Sequence, residues 1–107
     1  MITVAEHLAQ ARDHIAKGWT KGEYRGVDGS VCSVAAIERV AMENLTNGGI
    51  VTCEPAKERL LKKLKEVLGK DNELVSIPAL NDDADTHKDD VLYAFDKATI
   101  EAEECGE

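Results

Sequence analysis

Aromatic side chains are scarce in this chain, with one Trp, one Phe and two Tyr among 107 residues. Any core must therefore be built from Leu, Ile, Val and Ala. Long apolar runs are absent too: none exceeds a few residues, so no segment is long enough to span a bilayer. Cysteine is limited to Cys32, Cys53 and Cys105, an odd and widely spaced set with no Cys-x-x-Cys pair. That argues against a small secreted disulfide scaffold and points to free thiols in a reducing cytoplasmic compartment, a Cys32–Cys53 disulfide being the alternative. Positive charge is in deficit, 13 Lys and Arg against 21 Asp and Glu for a net of −8, which argues against direct nucleic-acid binding. The opening Met-Ile-Thr-Val-Ala-Glu carries neither a basic n-region nor an apolar h-region, so no signal peptide is expected.

What remains is a globular composition, 43% hydrophobic and 32% charged, in a length that suits one domain. Charge is unevenly spread, since residues 71–107 carry 12 acids against 2 bases and hold the whole negative excess. Such asymmetry implies either pairing between segments or an electrostatic face offered to a basic partner.

Hydrophobic spacing predicts four helices. Thr3 with Glu6 forms a capping-box signature ahead of Val4, Leu8, Ala11 and Ile15, giving a helix over about 4–17 stopped by Gly18. Residues 18–31 contain four glycines and an Asp28-Gly29 turn signal. They read as an ordered loop pinned by Trp19 and Tyr24, or as a short β-hairpin. Ser33 is placed as the N-cap of a helix over 34–46, with Ala36, Ile37, Val40 and Leu45 inward and Asn47-Gly48-Gly49 ending it. Pro55 starts a third helix, about 55–69, with the stripe Leu60, Leu61, Leu64, Val67 and Leu68 and the i,i+4 pairs Glu58–Lys62 and Glu66–Lys70. Pro78 predicts an extended Ile77 within an irregular connection. Thr86 with Asp89 caps a last helix to about 103, with Val91, Phe95, Ala98 and Ala102 inward. The expected fold is all-α: a single domain over residues 1–102, a four-helix bundle or helical array, with 103–107 as a frayed acidic tail.

The chain resembles a family of small uncharacterised proteins of actinobacteria and their phages. The residues that carry the likeness are Gly18-Trp19-Thr20-Lys21-Gly22, the Asp28-Gly29 turn, Cys32 leading into Ala35-Ala36-Ile37, and Ser76-Ile77-Pro78-Ala79-Leu80-Asn81-Asp82 with Thr86 through Phe95. It covers roughly residues 4–100 and departs at Ala35 and Leu80, where the family pattern often has Gly and Trp. The resemblance implies a shared fold and a phage or host-genome origin, and it supplies no mechanism.

No chemical motif is complete. Laid on an EF-hand loop from Asn81, Asp83 and Asp85 fall at positions three and five, but Thr86 replaces the Gly at six and Leu92 the Glu at twelve. The carboxylates instead suit the start of a helix, where the macrodipole favours anions. His7 and His14 stand seven residues apart on the first helix, about 10.5 Å, too far to share one ion. A Cys32 thiolate at a helix N-terminus with a nearby histidine would make a Cys–His nucleophile, against which stands a small buried cysteine packed under the loop. No metal or other cofactor is therefore expected. The basic residues of the third helix, Lys57 to Lys70, read as a solvated face partly neutralised by the last helix.

Trp19 and Tyr24 in a glycine-rich loop, with Asn81, Asp82 and Asp85 in the acidic connection, are the candidate binding residues, Trp19 and Tyr24 having core-capping as the alternative. The expected function is a small acidic non-enzymatic protein, phage- or prophage-encoded and resident in the host cytoplasm, that binds a protein partner. The alternatives are a nucleic-acid mimic that blocks a DNA-binding protein, a thiol enzyme using Cys32, and a homo-oligomeric structural subunit.

Overall fold

The computed structural model describes residues 2–45, 51–70 and 75–107, and the predicted Asn47-Gly48-Gly49 helix stop lies outside them. Among the described residues five helices follow in order: α1 (Val4–Lys17), α2 (Ser33–Leu45), α3 (Glu54–Leu68), α4 (Ile77–Asp82) and α5 (Lys88–Glu104). The domain is all-α, with no strand among the described residues, and its radius of gyration of 12.9 Å is that of one packed body of this length.

Local chemistry sets each start and stop. The Thr3 hydroxyl accepts the Glu6 N–H at 3.0 Å while the Glu6 carboxylate accepts the Thr3 N–H at 2.9 Å, the reciprocal box that the sequence predicts. α3 ends at Gly69, which takes the left-handed conformation at φ 65°. α4 is the helix that the sequence reading lacks. Ile77 is its first residue rather than an extended one, and the extended residue is Ser76, whose hydroxyl accepts the Ala79 N–H at 3.3 Å. Pro78 is tolerated because the second position of a helix has no backbone N–H bond to lose. α5 likewise begins one residue later than predicted: His87 is its N-cap, with its N–H donated to Asp90 at 2.9 Å. Thr86 is buried and spends its hydroxyl on the Leu80 carbonyl at 2.7 Å.

α1 and α5 run antiparallel and pack most extensively, α3 closes on α5, α2 lies on α1, and α4 bridges α2 and α3. Leu8, Ala11, Ile15, Leu60, Leu64, Val91, Phe95, Ala98 and Ala102 are buried in one core, as their periodicity predicts. Leu45 departs from its predicted inward place and is 55% exposed at the last position of α2. The basic side of α3 faces acids of α5. Arg59, Lys62 and Lys63 gather on Glu101 at 2.9, 3.4 and 2.7 Å. Lys62 and Lys70 thus turn to Glu101 and Asp83 rather than to the predicted Glu58 and Glu66. Glu107 folds back to place its carboxylate across Arg59 at 3.0 and 2.7 Å, and its carbonyl accepts the Ala5 N–H.

His7 is buried on α1, and its Nε2 lies 2.8 Å from the Ile37 carbonyl of α2. Burial pushes its imidazole below the usual histidine range, with the Ile37 bond opposing. The folded state therefore holds this ring neutral more strongly than the unfolded chain does. Stability from this group is complete above about pH 6.5 and is lost as pH falls from there toward the lower folded value. Urea midpoints at pH 7.5, 6 and 5 are expected to fall in that order, and His7→Gln is expected to flatten the decline.

Candidate functional site

Residues 18–32 form a loop without regular strands, in which only isolated bridges pair Val31 with Trp19 and with Arg25. The Asp28-Gly29 turn is present: Gly29 stands at φ 86° and donates to the Gly26 carbonyl at 3.1 Å, and Asp28 accepts both the N–H and the hydroxyl of Ser30. Gly26 is required by space, because a Cβ there would lie 2.3 Å from the Ser30 hydroxyl and 2.9 Å from Asp28. Ser30 is buried and bonded to Asp28, so making room for a Cβ gives up that bond. Gly26→Ala is expected to cost about 1–3 kcal/mol in denaturant titrations.

The loop is fastened to α4 around one buried side chain, that of Asn81. Asn81 is fully buried, and its carbonyl oxygen accepts the Trp19 indole N–H at 2.8 Å, the Ser33 N–H at 3.0 Å and the Ser33 hydroxyl at 2.6 Å. Its amide donates to the Thr20 carbonyl at 3.1 Å and to Asp82 at 2.9 Å. Asp82 also accepts the Gly22 N–H at 2.8 Å, and Lys21 reaches the Asp83 carbonyl at 2.6 Å while standing 5.5 Å over the Trp19 ring. Ser33, expected to cap α2, is instead its first residue and turns to Asn81. Cys32 takes the capping place, its sulfur accepting the Ala35 N–H at 3.4 Å.

Beside this clamp opens a cleft of about 240 Å³ lined by Gly22, Glu23, Tyr24, Cys32, Val34, Pro78 and Asp82. Tyr24 is 46% exposed at its edge, and its hydroxyl donates to Glu38, which Lys57 also contacts at 3.3 Å. That hydrogen bond pushes the phenol up to about 12 and holds the Glu38 carboxyl below its usual range, so the pair stays phenol and carboxylate at neutral pH.

Of the candidate binding residues singled out by sequence, Tyr24 and Asp82 line the cleft, as does Cys32, the candidate nucleophile. Asn81 has no exposed surface and a full set of partners, and it positions the loop. Trp19 is half-buried and serves the same clamp. Asp85 lies outside the cleft lining, with its N–H donated to Asp83 at 2.9 Å. That bond, more than the nearby Lys70, holds the Asp83 carboxyl below its usual range. Glu23, Val34 and Pro78 were missed as site residues: Glu23 and Val34 belong to no motif, Pro78 reads only as a helix breaker, and only the fold brings them together.

The cysteines are free, Cys32 buried, Cys53 half-buried and Cys105 exposed. Each histidine contacts a group other than a thiol: His7 meets the Ile37 carbonyl, His14 meets Glu43 at 2.8 Å and His87 lies 3.6 Å from Asp90. Among the described residues, no group of three or more His, Cys, Asp or Glu is placed to hold a metal ion, and no helix is long and apolar enough to cross a membrane.

No curated protein and no solved structure matches this chain. Residues 1–101 match the model of a family of unknown function, DUF6197, and so nearly the whole domain is covered. The chain belongs to that family of unknown function.

Proposed function

We propose that this chain is a non-enzymatic protein-binding module, phage- or prophage-encoded as the resemblance implies, whose cleft beside Tyr24 receives a basic side chain of its partner. The observation that carries this reading is an exposed aromatic, fixed through Glu38, beside two carboxylates in a cleft of about 240 Å³. That volume is below the range of about 300–1,000 Å³ usual for sites that enclose a small-molecule ligand, yet it suits one long side chain. Val34, Pro78 and the Tyr24 ring would cover the alkyl stem of a Lys or Arg, and Glu23 and Asp82 would meet its charge. Because Tyr24 is tethered before any partner arrives, little ordering entropy is lost on binding. A thiol enzyme is less well supported, since all three histidines are engaged away from Cys32.

The test is a photo-crosslinking amino acid at the exposed Pro78 on the cleft wall, which leaves Tyr24, Glu23 and Asp82 in place, expressed in cells that natively carry the gene. A discrete adduct is expected, absent when the same group stands at the exposed Glu54 and lost on Glu23→Lys. An adduct that survives Glu23→Lys, or none at all, would overturn the reading.

A further inference from the structure

α5 carries a second stripe, distinct from the one buried in the core. Asp89, Tyr93, Asp96, Ile100 and Glu103 recur at alternating steps of four and three, the spacing that aligns residues along one helix face. All five are exposed, Tyr93 by 54% and Ile100 by 56%, two of the six large hydrophobic side chains that are exposed among the described residues. The stripe is continuous with α1, because Arg12 reaches across to Asp96 at 2.9 Å and thereby neutralises the middle acid. Ala9 and Ala16, one turn to either side of Arg12, are exposed on that same face of α1. Lys97 packs on the Tyr93 ring at 5.2 Å. What results is a two-helix face with apolar groups two turns apart and, at its ends, Asp89, Glu103 and Glu104, none of which has a partner among the described residues.

The charge pattern selects the occupant. A second copy laid on this stripe in parallel would set Asp89 on Asp89 and Glu103 on Glu103, and an antiparallel copy would set Asp89 on Glu103. Either arrangement places like charges together, which is unfavourable. We propose that the α1–α5 face docks an amphipathic helix of another protein, with two apolar residues about two turns apart that are flanked by Lys or Arg. This surface is separate from the Tyr24 cleft and does not depend on it.

The probe is a synthetic helical peptide with Leu at heptad spacing and Lys on both flanks, titrated calorimetrically into the full chain at two salt concentrations. Binding that weakens with salt is expected, with a loss of about tenfold or more on Tyr93→Ala with Ile100→Ala. Both positions are exposed, so circular dichroism should be unchanged, and Met42→Ala on the exposed side of α2 should bind as the native chain does. Equal binding by native and doubly substituted chains would refute the proposal, because attraction would then be to net charge alone. Sedimentation showing a dimer that the double substitution abolishes would also refute it, by assigning the face to a second copy. Glu23→Lys leaves this face intact, so failure of the cleft reading and failure of this one are separately visible.

Discussion

Asn81→Ala is expected to lower stability by about 4 kcal/mol, a large share of the margin of about 5–15 kcal/mol usual for a domain. Truncation removes the acceptor of the Trp19 indole and of both Ser33 donors and leaves the Thr20 carbonyl without its donor. Ser33 has no solvent to turn to, because it is fully buried. A buried group left unpaired costs about 1–3 kcal/mol, so the sum is set mainly by Ser33, with smaller shares from the half-buried partners. The melting temperature followed by circular dichroism should fall by about 20 °C. Asn81→Asp separates the acceptor from the donor function. It keeps the acceptor oxygen but turns the amide into an anion facing Asp82 and the Thr20 carbonyl. Its deficit relative to the native chain should therefore shrink as pH falls and the new carboxyl is protonated.

The second large effect is expected at Phe95. It is the one Phe of the chain, fully buried on α5, and has the greatest volume among the fully buried side chains. The packing around it rests on Leu, Ile, Val and Ala, and the alanines of α5 at 94, 98 and 102 have no side-chain reach with which to fill a void. Phe95→Ala should cost about 3–5 kcal/mol in urea unfolding, whereas Tyr93→Ala, two residues away and exposed, should stay within about 0.5 kcal/mol. If the two losses were equal, the assignment of inward and outward faces on α5 would be wrong.

The helical faces were legible because each is a local repeat: Leu8, Ala11 and Ile15, or Leu60 and Leu64, announce burial by spacing alone. The capping box at Thr3 was equally local. What escaped was whatever depends on distant partners. Asn81 reads as a turn residue from its neighbours, yet its role is defined by Trp19 and Ser33, which lie 62 and 48 positions away. Ser33 has the composition of an N-cap, and the stronger pull of a buried amide draws its hydroxyl elsewhere. α4 has six residues, too few to show a period, and Pro78 suggests the opposite conformation until Ser76 is seen to cap it. Within the cleft, Tyr24 and Asp82 were visible as residue types in loops, while Glu23, Val34 and Pro78 acquire meaning only from tertiary proximity.

The clamp also orders events in time. A single amide oxygen collects donors from Trp19 and Ser33, while α4, which carries it, is too short to persist alone. The glycine-rich segment thus has no stable closure until the chain has grown or collapsed as far as residue 81. Refolding should then gain most helical signal first and Trp19 fluorescence later, the two separated by the search that brings both ends of this long circuit together.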